Sequence, residues 1–273
     1  MPYQRPFSVK WWWDSWHAGG FLYAMAAGMN DIAGYEDVWK VGGVHVSKIA
    51  GLASERWGWW TGNRGKLKTH AGHFFWSGED SPDERRSAAQ SLVKYLNRLH
   101  ELAPSEPLRT VAHSHGGNVV KAASSDRDLS PTIYFEKSVF LACPHFAAQV
   151  GRETRYPYKL SPDRFGQILN LYSELDTVQT KFAEKFPGRL GYRLIDHYPP
   201  TSNRVEQDPD VKHVYEDHEI PTTDVGVDAH AAVHGQSVGY LVGVWLASNR
   251  KFSYAIGQFG RQRLPVPGKD FGE

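Results

Sequence analysis

The stretch "RTVAHSHGGNVVKAAS", Arg109 to Ser124, decides how this chain is read. "LRTVA" has the short, β-prone character of a strand, and "GGNVVKAAS" opens a helix. Ser114 stands between them, flanked by His113 and His115. In an open parallel sheet, reactive groups collect just beyond the carboxyl ends of the strands. A serine at a strand–turn–helix junction there is a candidate nucleophile, held in a strained backbone conformation that wants small neighbours. Ala112 and Gly116 meet that demand two residues to either side, and Gly117 gives the helix room to approach the sheet. The form is A-x-S-x-G rather than the commoner G-x-S-x-G. The N–H of His115, at the positive end of the helix, is then expected to serve as an oxyanion donor. The competing reading, a serine that merely caps the helix, explains neither the strand before it nor the small residues around it.

Alternating strands and helices extend outward from this junction. "GHFFWSG", Gly72 to Gly78, reads as an aromatic strand. In "SPDERRSAAQSLVKYLNRLH", Ser81, Pro82 and Glu84 form a helix-start signature. Ala89, Leu92, Val93, Leu96 and Leu99 then share one helical face. "SVFLACP" (138–144) and "QILNLYS" (167–173) read as strands, "TVQTKFAEKF" as an amphipathic helix, and "VGYLVGVWLA" (238–247) as a buried helix. Together they predict an α/β fold with a mainly parallel central sheet and helices on both faces. The polar, proline-rich region Pro199 to Asp224 reads as a long loop, and residues 260–273 as a loose tail. No internal repeat or linker divides the chain, so one domain over residues 1–273 is expected.

A serine hydroxyl needs a base, and the base needs an acid to orient it. The acid is expected beyond a later strand, where "NLYSELDTVQ" supplies Asp176, with Glu174 the near alternative. Asp196, Asp224 and Asp228 are less well placed. The base is expected in a loop before the last helix, where "VDAHAAVHG" offers His230 first and His234 as the alternative. His197, His213 and His218 fall too early. The pairs His113/His115, His70/His73 and His230/His234 invite a metal reading. Alternate residues of an extended chain point to opposite sides, however, and no H-E-x-x-H or cysteine-based motif accompanies them. No metal and no cofactor are expected.

Composition narrows the classes further. A net charge of +1 gives no electrostatic case for nucleic acid. The single cysteine, Cys143, excludes an internal disulfide framework. The start "MPYQRPFSVKWWWDSWHAGG" lacks the features of a usual signal peptide, and no apolar run is long enough to span a bilayer. The protein is expected to be made in the cytoplasm, with export by a route that needs no signal peptide left open. "KWWWDSW" and "ERWGWW" suit either an acyl-chain groove or membrane-surface contact on one hand, or ordinary core and edge packing on the other.

With "FFWSGEDS", "AHSHGGNVV", "FLACPHF", "NLYSELDTVQ" and "DAHAAVHG", in order between Gly72 and Leu246, the chain resembles the alpha/beta-hydrolase superfamily of serine esterases and lipases. It is similar, more narrowly, to a bacterial subgroup that includes lipases and phospholipase-like toxins delivered by type VI secretion. The resemblance implies Ser114 as nucleophile, Asp176 as acid and His230 as base. It also implies hydrolysis of small-molecule or lipid esters through an acyl-enzyme, without a cofactor. The segment "HFAAQVGRETRYPYKLSPDRFG", after Pro144, lies where this fold inserts a small lid. The N-terminal part departs from the pattern, because no His-Gly dipeptide precedes His115 to mark the usual second oxyanion donor. Either the first strand is truncated, or its loop is rebuilt from "SVKWWWDSWHAGG". Loss of one such donor costs about 2.7–4 kcal/mol of transition-state stabilisation. The alternative class is therefore a degenerate hydrolase that binds a lipid or protein partner without turnover.

Overall fold

The fold comes from a computed structural model that describes residues 21–33, 59–64, 67–72, 74, 76, 82–102, 104, 108–144, 160–176, 215–222 and 227–260. In chain order the elements are α1 (Phe21–Ala33), β1 (Trp59–Arg64), β2 (Leu67–Gly72), α2 (Pro82–Leu102), β3 (Leu108–His113) and α3 (Gly116–Ser124). They continue with β4 (Phe135–Leu141), β5 (Phe165–Tyr172), β6 (Tyr215–Glu219), α4 (Val227–Ala232), α5 (Gln236–Ala247) and α6 (Phe252–Ala255). These elements fall into two compact units: α1, β1, β2, α5 and α6 in one, and α2 to α4 with β3 to β6 in the other.

The first unit is built on the pairing of α1 with α5. A Cβ on Gly239 or Gly243 would run into the carbonyls of Phe21 and Met25, and one on Gly28 into that of Tyr240. Backbones this close tolerate only hydrogen as a side chain, so the glycine spacing in "VGYLVGV" sets the helix contact. β1 and β2 form an antiparallel pair with Trp59 opposite Gly72 and Arg64 opposite Leu67. No described helix is long and apolar enough to cross a membrane.

The second unit is a four-stranded, all-parallel sheet in the order β3-β4-β5-β6, with helices around it. The expected α/β class is thus present at this level. Side chains alternate across the sheet. Arg109, Val111 and His113 share one face with Lys137, Val139 and Leu141, while Thr110 and Ala112 share the other with Ser138 and Phe140. The Thr110 hydroxyl donates to Ser138 Oγ at 2.8 Å on that second face. Val139, Phe140, Leu141, Ile168, Leu169 and Leu171 are all fully buried, each contributing about 1.5–3 kcal/mol through removal from water.

α3 packs on the face that carries Phe140. Lys121 Nζ lies 5.5 Å above the Phe140 ring, and a Cβ on Gly117 would collide with Cys143 Sγ and sit 3.0 Å from Cys143 Cβ. At Gly116 an added Cβ meets only Ala112 Cβ, at 3.8 Å. The tight demand for a small residue therefore falls on Gly117, one position later than the elbow pattern suggested. α2 packs beside α3 and buries Ala88, Ala89, Leu92, Val93 and Leu96, with Leu99 half-buried. The connection from α3 to β4 is clipped in place. The Asn97 side chain donates to Asp128 O and accepts from Ser130 N, and Arg164 donates to the carbonyls of Ser130 and Ile133.

Some expectations need correction. Of the expected aromatic strand 72–78, Gly72 instead ends β2 of an antiparallel pair and Phe74 and Trp76 lie outside any strand, while residues 73, 75, 77 and 78 lie outside the described residues. β6 lies inside the region expected to be a loop. Its sequence, "YEDHE", lacks apolar alternation. It is held by backbone pairing to β5 and by Asn170 Nδ2 donating to Asp217 Oδ1 at 2.8 Å. The end of the expected lid is a 3-10 turn, Pro162–Arg164, running into β5, which starts at Phe165. Residues 145–159 of that lid, "TVQTKFAEKF", "KWWWDSW", Ser81 and the tail 261–273 lie outside the described residues.

Gly117→Ala should lower stability by about 1–3 kcal/mol, because the added methyl pushes α3 off β4. Urea unfolding measures this, and Cys143→Ala on the Gly117→Ala background should return part of the loss by removing the Sγ that the methyl meets.

Candidate active site

Ser114 follows β3 directly and has φ of 53°, in the left-handed region that an L-residue adopts at a cost. Its N–H donates to Leu141 O at 2.8 Å, and its carbonyl accepts from Gly117 N at 3.1 Å. The first bond extends the β3–β4 ladder by one rung, and the second closes the turn into α3. The serine is thus fixed on both sides by backbone. His115 occupies the N-cap position of α3, with its carbonyl accepting from Asn118 and Val119 and its Nδ1 3.4 Å from Asn118 Nδ2. Its place at the first turn gives its backbone the positive end of the helix.

β4 ends in the same manner. Ala142 has φ of 46°, and its N–H donates to Leu171 O at 2.8 Å. Two successive strands therefore leave the sheet through left-handed residues at their carboxyl ends. Cys143, next in line, is fully buried, with its thiol against the carbonyls of Ala112 and Leu141. Burial pushes that thiol up to about 12, so it holds its proton and is no thiolate nucleophile at neutral pH.

Asp176 reaches the site through a turn at the end of β5. Its N–H donates to Ser173 O at 3.2 Å, and the Ser173 hydroxyl accepts from Leu175 N. This turn leaves Glu174 exposed and buries Asp176. Asp176 Oδ2 lies 2.6 Å from Nδ1 of His230, which sits in the last turn of α4 and is fully buried. A buried carboxylate at that distance makes Nδ1 a proton donor and leaves Nε2 as the basic atom of the neutral ring.

The structure also brings in two more histidines. The His113 ring lies 4.7 Å from that of His230, tilted by 55°, and 4.2 Å from that of His234, edge-on at 86°. His230 and His234 are 6.5 Å apart, so His113 sits between them. Burial, and then the charges that His234, His230 and His115 would carry, hold His113 well below the usual histidine range. Burial and then His230 bring His234 down to about 3. Among the described residues, no three His, Cys, Asp or Glu side chains are grouped so as to hold a metal ion.

Of the other sequence candidates, His218 lies on β6, 3.4 Å from Glu216 Oε2, and His70 lies on β2 opposite Thr61. Asp228 is on α4. His73, Asp196, His197, His213 and Asp224 lie outside the described residues. Two contributors were not singled out from sequence: Ser173, which shapes the Asp176 turn, and His113 as a neighbour of His230. Strand alternation already places His113 opposite Ala112, yet only the fold shows what that other face meets.

Compared with known protein families, curated proteins and solved structures, the chain matches none.

The neutral histidines make stability depend on pH. An imidazole kept neutral when folded binds its proton only in the unfolded chain once pH falls below about 6.5. The unfolded state then binds more protons, so stability should fall from pH 6.5 downward, towards the value near 3 at His234. The slope approaches about 1.4 kcal/mol per pH unit for each such histidine. Urea midpoints at pH 7.5, 6.5 and 5.5 should decline in that order, and His234→Phe should reduce the slope.

Proposed function

We propose that the chain is a serine hydrolase of the alpha/beta-hydrolase type that cleaves carboxylic esters. The observation that carries this reading is the buried Asp176–His230 hydrogen bond of 2.6 Å, whose His230 ring packs against His113, the residue next to a left-handed serine. A helix-capping serine requires none of this, whereas an activated hydroxyl requires a base and an acid that orients it.

In the proposed reaction, Ser114 Oγ attacks the ester carbonyl while His230 Nε2 takes the hydroxyl proton. Asp176 keeps the other ring nitrogen protonated and stabilises the imidazolium as it forms. The carbonyl oxygen, now negative, is met by the His115 N–H at the start of α3. Collapse of the tetrahedral adduct breaks the bond to the alcohol, which leaves with the proton from His230, and Ser114 remains acylated. Water repeats the sequence: His230 takes its proton, the acyl–serine bond breaks, and the carboxylic acid leaves with Ser114 restored. No cofactor enters the scheme. The resemblance to lipases and phospholipase-like toxins favours lipid esters among the substrates.

Labelling by a fluorophosphonate probe tests the reading. The wild-type protein should gain one adduct by intact mass, and Ser114→Ala should gain none. Asp176→Asn should keep the fold and lower kcat for short-chain p-nitrophenyl esters by about 10³- to 10⁴-fold. A folded wild-type protein that takes no label would replace the hydrolase with a binding module of the same fold.

A further inference from the structure

The hydrolase scheme assigns Ser114, Asp176 and His230 but gives no role to the buried histidine beside the serine. His113 is only 9% exposed. It ends β3, where its backbone is in register with Leu141 of β4. Its ring meets His230 at 4.7 Å on one side and the edge of His234 at 4.2 Å on the other. A strand end tied into the sheet is one of the stiffest mounts the fold offers.

We propose that His113 is a positioning residue for His230: its ring packs on the base, is backed by His234, and holds the imidazole with Nδ1 on Asp176. The inference rests on the hydrolase reading for its meaning in catalysis. A single hydrogen bond to a carboxylate tolerates small changes of length and angle, so it restrains rather than fixes the rocking of the ring about its Cα–Cβ and Cβ–Cγ bonds. A second contact, against the ring itself, removes that freedom. The base must stay aimed at Ser114 Oγ through two proton transfers, and misplacement by about 1 Å can cost on the order of 10²-fold in rate. An aromatic ring suits the task, since tilted ring pairs are favourable at centroid distances of about 4.5–7 Å.

The chain must also prevent His113 from competing for the proton. Among the described residues, the titratable groups acting on it are His234 in the turn after α4, His230 on α4 and His115 across the elbow; Asp176 stands at the far edge of His230. Burial and the charges that His234, His230 and His115 would carry keep His113 neutral, so the charge that forms during the reaction falls to His230, beside Asp176.

Two variants and two readouts test this. His113→Ala removes the ring, and His113→Phe keeps an aromatic ring that carries no proton. The first readout is the downfield proton resonance of the His230 Nδ1–H···Asp176 bond, assigned by its loss in His230→Gln. The second is the kinetics of p-nitrophenyl ester hydrolysis. His113→Ala should broaden or abolish the resonance and lower kcat by about 10- to 100-fold with KM changed by less than about 3-fold. His113→Phe should retain the resonance and recover most of kcat. Circular dichroism checks that each variant is folded. An unchanged resonance and kcat in folded His113→Ala would overturn the proposal. So would a His113→Phe protein that loses both as fully as the alanine variant, since ring packing would then not be what matters. The resonance needs no substrate, so it decides the His113 contact even where the wild-type protein takes no fluorophosphonate label and the hydrolase reading itself fails.

Discussion

The hydrogen bond from Ser114 N–H to Leu141 O is the constraint from which the site is built. It adds a last rung to the β3–β4 ladder at the residue where the chain must turn back into α3. A buried backbone donor left without a partner costs about 1–3 kcal/mol, so the rung is not readily given up. The positive φ at Ser114 follows from making that bond and starting a helix two residues later. Gly117 is then the residue pressed against Cys143, and the helix can lie on the sheet only because it has no side chain. The same device recurs one strand over, where Ala142 bonds Leu171 and also takes a positive φ. Strain of this kind persists only where surrounding packing holds it, and here both residues lie at the ends of buried strands.

The histidines face a different constraint. Placing three imidazoles within one small volume is unfavourable for any state in which more than one is charged. Burial resolves this by keeping His113 and His234 neutral, at the expense of stability in acid. The carboxylate is placed against the His230 ring through the Ser173 turn, which carries Asp176 inward while Glu174 and Leu175 are exposed. Position along the turn, rather than acidity, separates Asp176 from Glu174.

Much of this was legible in the sequence, for identifiable reasons. α3 has the bounds its glycines and apolar residues suggest. β3, β4 and β5 each carry a short apolar or β-branched run, Val111–Ala112, Val139–Leu141 and Ile168–Leu169, of the kind a buried parallel strand requires. Asp176 and His230, which the structure brings together as a buried hydrogen-bonded pair, stood out in the sequence because chain order in such a sheet limits where partners for a serine would be sought. β6 was hidden because "YEDHE" carries no hydrophobic signal: its strand character comes from β5, a partner distant in sequence. The role of His113 was hidden for a related reason. A residue's alternation gives its face, and only the long-range return of α4 brings His230 to that face. In "GHFFWSG", Gly72 ends β2 while Phe74 and Trp76 are not in strand conformation, since aromatic content without alternation is a weak strand signal.

Cys143 has a practical consequence beyond its lack of nucleophilicity. As the single thiol of the chain, buried between α3 and the end of β4, it is a reporter the protein already carries. A thiol reagent can reach it only when that packing opens, so the rate of its modification is a clock for the opening of the layer beneath the Ser114 turn. That clock runs without an added label and without substrate.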